Sequence, residues 1–180
     1  MTESTVIRRL SAGEALAAVP VLSDLLIDCV EGGASVSFML PMTREKATRF
    51  WDLVATGVAN HERALLVAED ASGIVGTVQL LLALPENQPH RADVAKMLVH
   101  RRARRRGVAG QLMEAVEEAA RAEGRTVLVL DTVTGTTADR LYTRAGWQRV
   151  GEIPDFALMP DGAYCPTTFF YKHVARTAGS

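Results

Sequence analysis

In the stretch Lys96-Met97-Leu98-Val99-His100-Arg101-Arg102-Ala103-Arg104-Arg105-Arg106-Gly107-Val108-Ala109-Gly110-Gln111-Leu112-Met113, an apolar strand runs into a basic loop and a helix opens on Gly107. The first N–H groups of a helix lack intrahelical acceptors, and the helix dipole is positive there, so this junction is built to meet a pyrophosphate. Gly107, Ala109 and Gly110 keep side chains clear of the backbone, and Arg104, Arg105 and Arg106 offer charge-assisted bonds to phosphate oxygens. The same arginine run can be read as a solvated basic face or a nucleic-acid patch. Its position between an apolar strand and a Gly-x-Ala-Gly helix start favours the phosphate loop, because glycines in a helix are costly unless something needs the space. A Walker phosphate loop, Gly-x4-Gly-Lys-Ser/Thr, is absent.

Working outward, Gly107–Glu123 places Val108, Leu112, Met113, Val116, Ala119 and Ala120 on one helical face, and Gly124 ends the helix. Before it, Ala92–Val99 reads as a strand, and Arg63–Glu69 with Ile74–Leu84 as a hairpin turning on Asp70-Ala71-Ser72-Gly73. Thr5–Leu10 is a short first strand. Ala12–Val30 is a helix broken or kinked at Pro20, and a further helix runs from an N-cap at Thr43 to about Ala59. After it come the strand Thr126–Asp131, the helix Thr137–Ala145 stopped by Gly146, and strands Trp147–Ile153 and Thr167–Lys172. The order β-α-α-β-β-β-α-β-α-β-β predicts an α/β domain, a mixed sheet covered by helices.

The chain has 180 residues, enough for one well-packed domain, with 48% apolar and 23% charged residues. A formal net charge of −1 excludes a polyelectrolyte role, so neither nucleic acid nor a membrane surface is an expected partner. Two cysteines, Cys29 and Cys165, are too few for a disulfide scaffold and fit a cytoplasmic location. No metal-ligand spacing is present, and no leader is expected, since Glu14 and Pro20 interrupt the mildly apolar start.

Arg104-x-x-Gly107-x-Ala109 resembles the acetyl-CoA signature of the GNAT superfamily of N-acetyltransferases. Val94–Val99 resembles that family's central strand, and Ala138-x-x-Leu141-Tyr142-x-x-x-Gly146-Trp147 resembles its Ala-x-x-Leu/Phe-Tyr-x-x-x-Gly-Phe/Trp segment. A looser likeness, to the tabtoxin-resistance acetyltransferases, covers Val30–Met39, Leu130-Asp131-Thr132, Pro160-Asp161-Gly162 and Pro166-Thr167. Those enzymes acetylate an amino-acid-like β-lactam toxin. The resemblance implies a GNAT-type fold over one domain, 1–180, with splayed central strands, helices on both faces and a cofactor core at about 92–151. It implies acetyl-CoA as co-substrate, a small-molecule amine as acceptor, a role in antibiotic or toxin resistance, and a monomer or homodimer.

The resemblance also assigns residues around the cofactor, and position in the chain suggests Asp131, Asp93 and the Glu31–Ser35 loop for the acceptor. Leu98 and Val99 pair with the pantetheine arm, Arg104, Arg105, Arg106, Gly107, Val108, Ala109 and Gly110 cradle the pyrophosphate, and Ala138 lies by the cofactor. Tyr142 protonates the departing CoA sulfur; the competing reading is a ring that only packs. Asp131, at a strand end, docks or deprotonates the substrate ammonium, unless it is a solvated carboxylate. Asp93 accepts the amine proton through water, or is an exposed carboxylate paired with Lys96 or Arg91. Glu31, Gly33 and Ser35 line the acceptor pocket, or form an ordinary interhelical connection. One departure stands out. Many members carry Asn three residues before the Ala138 position, where this chain has Gly135, so Thr134 or Thr136 is the candidate replacement. A protein N-terminal or lysine acetyltransferase and a non-catalytic CoA-binding module are the alternative functions.

Overall fold

Ala64, Leu66 and Ala68 bury themselves in one hydrophobic core while the intervening Leu65 and Val67 enter another. Side chains alternate along a strand, so β2 (Arg63–Asp70) needs a helical layer on each face. β3 (Gly73–Leu81) repeats the pattern, with Val75, Val78 and Leu80 on one side and Ile74 on the other. The computed structural model describes residues 4–175.

β1 (Val6–Arg9) leads into α1 (Ala12–Ala17) and α2 (Val19–Glu31). The helix expected over Ala12–Val30 with a break or kink at Pro20 is two helices sharing Ala18 as a cap, so the break precedes Pro20, which sits in the first turn of α2. Proline is tolerated there because that N–H has no intrahelical partner to lose. Ser11 starts α1 with a capping box to Glu14. α3 (Arg44–Ala59) starts on Thr43, whose hydroxyl accepts from the Lys46 N–H. After β2 and β3 come β4 (Arg91–Val99), a 3-10 turn (Arg101–Ala103), α4 (Val108–Ala122), β5 (Val127–Val133), α5 (Thr137–Arg144), β6 (Gln148–Leu158) and β7 (Tyr164–His173).

The seven strands form one mixed α/β sheet in the order β1-β2-β3-β4-β5-β7-β6. Every pairing is antiparallel except β4 with β5. These two parallel strands join only through Arg91–Asp93 and Val127–Val129. Past that point they splay. α1, α2 and α3 cover one face of the sheet, α4 and α5 the other.

Opposite β3, β4 carries an extra residue: Gln79 faces Ala95 and Thr77 faces Leu98, so Lys96 and Met97 oppose Val78 alone. Lys96 takes a left-handed φ of 53° at this β-bulge. The last two strands run past the bounds expected from sequence, Ile153 and Thr167. Proline cannot donate to a ladder, so Pro154 and Pro166 read as stops. In the fold, the β6–β7 register shifts between Ile153 and Ala157, with Asp155 at φ 51°, and this irregularity accommodates both prolines.

Candidate active site

The splay of β4 from β5 opens a cavity of about 710 Å³. Its walls are Val94–Met97 of β4, Asp131–Val133 of β5, and Ala138 and Tyr142 of α5, with Arg104 at one side. The loop Gly32–Met39 and the hairpin segment Phe156–Met159 close the remaining sides. The Ser35 hydroxyl donates to Leu158 O at 2.9 Å, and the Leu40 N–H donates to Pro160 O at 3.0 Å, so loop and hairpin are tied together.

The basic loop is anchored from α2. Asp28 accepts from the Arg101 backbone N–H at 2.9 Å and from its Nε at 2.8 Å. Burial pushes this carboxyl up, but those bonds and neighbouring His100 outweigh it and hold Asp28 below its ordinary range. Arg104 Nε donates to Val99 O at 3.4 Å, and Cys29 Sγ reaches the same carbonyl at 3.6 Å. Arg106 Nη1 donates to Asp70 Oδ2 at 3.0 Å. Arg105 and Gly107 both take left-handed φ values, 63° and 77°, which turn the chain sharply into α4. No side chain caps that helix start, and a Cβ added at Gly107 or Gly110 would meet nothing within 4 Å. The N-terminus of α4 therefore faces open space with unspent N–H groups.

Of the residues singled out in the sequence, Gly33, Ser35, Arg104, Asp131, Ala138 and Tyr142 line the cavity. Arg105, Arg106, Gly107, Val108, Ala109 and Gly110 form the turn beside it, and Val108 packs inward at 1% exposure. Leu98 is buried and pairs with Thr77. Glu31 ends α2 as an exposed residue outside the lining. Asp93 is held by the Arg91 guanidinium, one of the two ion-pair partners its sequence context offered.

Tyr142 is 5% exposed, its ring packed 5.9 Å from Phe170 and 6.2 Å from Trp147. Burial, reinforced by the Asp131 charge, pushes its phenol up to about 12. Asp131 opens onto the cavity, and desolvation raises its carboxyl above the usual range, with Lys96 opposing and Asp93 adding to the rise. At the Gly135 turn, Thr134 and Thr168 share a 2.7 Å hydroxyl bond. Thr136 donates to Val133 O at 2.9 Å and caps α5 by accepting from the Asp139 N–H. Its one hydroxyl proton is thus committed inside the fold.

Sequence reasoning missed Lys96, Ser37 and the Phe156–Met159 wall. Lys96 Nζ donates to Ser37 Oγ at 2.9 Å. Burial lowers its ammonium's pKa, partly countered by Asp131 and aided by Arg63. The only sequence signal was a lysine interrupting an apolar strand. Among the described residues, no group of three or more His, Cys, Asp or Glu is placed to hold a metal ion. No described helix is long and apolar enough to cross a membrane.

A parallel strand pair that parts over a cavity is flanked by a helix whose N-terminus has no side-chain cap. Residues 61–149 match the acetyltransferase (GNAT) domain, and the described chain carries the GNAT fold. An uncharacterised N-acetyltransferase from the hisH–hisA intergenic region of Azospirillum brasilense is 37% identical over 112 residues, 61% of this chain and 65% of that relative. The N-acetyltransferase of Staphylococcus aureus Mu50 superposes with a TM-score of 0.78 at 17% identity, covering 96% of this chain and 99% of that one. Salmonella typhimurium yncA, solved with its cofactor acetyl-CoA, gives 0.76 at 15% identity over 97% and 96% of the two chains.

Proposed function

We propose that the protein is an acetyl-CoA-dependent N-acetyltransferase acting on a small, amino-acid-like amine such as a toxin or antibiotic, by direct attack in a ternary complex. The observation that carries this reading is that one cavity gathers Arg104, Tyr142 and Asp131 on its walls. The tied loop and hairpin bound the acceptor side, which favours a small molecule over a folded protein.

Bound acetyl-CoA would supply a thioester carbonyl open to attack. The residues fit it: the uncapped start of α4 and the arginines before it receive the pyrophosphate. The inner edge of β4 beyond Asp93 is unpaired with β5 and can take the pantetheine arm as an added strand. The Val99 carbonyl is engaged by Arg104 and Cys29, which leaves its N–H as the group that residue would offer to that arm. When the acceptor nitrogen displaces the sulfur from the acetyl carbon, Tyr142, on the cavity wall, would give the departing sulfur its proton and recover one from solvent. A phenol near 12 stays protonated throughout the physiological range. Asp131 holds the incoming ammonium, and water or Asp93 takes the amine proton.

The test is a screen of amino acids, β-lactam amino acids, aminoglycosides and peptides, monitored by free thiol release. Asp131→Asn should raise the KM of the preferred acceptor at least as much as it lowers kcat. Turnover of peptides or folded proteins with none of amino-acid-like amines would promote the protein-acetyltransferase reading. Acetyl-CoA binding without any turnover would promote the binding module.

A further inference from the structure

Lys96 interrupts the apolar half of β4, beyond the Arg91–Asp93 ion pair, and its backbone there is left-handed. Val94 and Leu98 on either side are buried, and Lys96 lines the cavity together with Val94, Ala95 and Met97. The left-handed φ of 53° costs a non-glycine residue about 1–2 kcal/mol. Without the bulge, the strand's alternation would have placed the following residues on opposite faces. The ammonium is fixed by the Ser37 hydroxyl, which comes from the loop that walls the acceptor side. One of its three N–H donors is thereby used. Asp131 stands on the opposite strand of the splay, also lining the cavity. Lys96 and Asp131 therefore bring a cation and an anion to the cavity from facing strands, with Arg104 at its other side.

We infer that Lys96 is the carboxylate anchor of the acceptor pocket, so that the enzyme selects amines bearing a free carboxylate next to the amino group. Asp131 receives the ammonium and Lys96 the carboxylate of the same zwitterion. This rests on the acetyltransferase reading above. An amine with no anion, such as a polyamine or an aminoglycoside, leaves Lys96 unpaired and brings a second cation toward it, which disfavours binding. The lowered ammonium pKa agrees with a pocket waiting for an anion, since a bound carboxylate would restore the charged form.

The experiment compares L-alanine, L-leucine and L-phenylalanine with their carboxamides, on the wild type, Lys96→Gln and Lys96→Arg. Carboxamides differ in amine basicity, so the informative quantity is the acid-to-amide ratio in kcat/KM of each variant relative to wild type. Lys96→Gln should collapse that ratio by about tenfold or more, the size of one charge-assisted hydrogen bond. Lys96→Arg should keep part of the preference. Equal losses on acid and amide would overturn the inference and make Lys96 a proton acceptor or a structural residue. The same pairs are titrated by calorimetry into the CoA-loaded protein, so the preference is also read without turnover. Wild type that binds acids and amides alike overturns the inference. Wild type that prefers acids but transfers no acetyl group instead removes the acetyltransferase reading and leaves the anchor standing.

Discussion

Tyr142 owes its properties to where α5 places it, with Phe170 and Trp147 around the ring and Asp131 nearby in the same cavity. Tyr142→Phe keeps the ring and removes one proton. It should lower kcat about 10²- to 10⁴-fold, the range of a lost general acid, with little change in acetyl-CoA affinity. An unchanged rate in a variant limited by chemistry would take Tyr142 out of the mechanism. The same substitution has a second readout. Below pH about 10 the phenol is protonated in folded and unfolded chains alike. Between there and about 12 only the unfolded one ionises, so stability falls as pH rises, by up to about 3 kcal/mol. Alkaline unfolding of Tyr142→Phe should lack that component. The residues around the cavity were legible from sequence where a local motif holds them, as with Ala138 and Tyr142 on one helix. Lys96 was not, because a bulge reverses strand alternation and leaves no mark in composition or period. Nor could the sequence tell that the Thr134 and Thr136 hydroxyls bond within the fold.

α4 does two separable things, one at each end. Its start presents the open turn at Gly107, and its middle is bolted to the far strands through Glu117. Glu117, 7% exposed, accepts from Lys172 Nζ at 2.8 and 2.9 Å and from Trp147 Nε1 at 3.2 Å. Lys172 also donates to Ala145 O at 2.8 Å, fixing the end of α5. Glu117→Ala leaves that partly buried lysine without its counter-ion and should cost about 3 kcal/mol, a fall in Tm of roughly 6–12 °C. Acetyl-CoA should still bind the folded variant. Gly107→Asp should do the reverse. It adds a side chain and a negative charge where a pyrophosphate is expected, and calorimetry should find binding abolished. Its stability loss should stay near the 1–2 kcal/mol of a left-handed non-glycine residue. Both variants losing binding equally would mean the loop has no phosphate role of its own. The element order was legible because periodicity switches cleanly between strand and helix. The ends of β6 and β7 were not, since a proline in a bulge and a proline ending a strand look alike until the pairing register is known.

The whole molecule is two cores sharing one sheet. β2 sends alternate side chains into each and β3 adds Ile74 to one and Val75, Val78 and Leu80 to the other, so neither helical layer can melt without exposing the strands that support the other. The candidate site lies across this division. The Gly32–Met39 loop follows α2 on one face, while α4 and α5 approach from the other, and the splayed strands lie between. A ligand that fills the splay therefore bridges both layers and stabilises the native state as a unit. Linkage gives the size: a ligand at 100 times its Kd adds about 2.7 kcal/mol to the native state. For a chain of this length that corresponds to a rise of roughly 5–10 °C in Tm. Acetyl-CoA at that saturation should shift a single cooperative calorimetric transition upward by this amount, with the transition staying single. Two transitions, only one of them moved by acetyl-CoA, would show that the helical layers unfold independently and that the cofactor is held by one of them. No shift at millimolar acetyl-CoA would refute the reading of the α4 start and the β4 edge as its site, since nothing bound to the splay could leave the sheet's stability untouched.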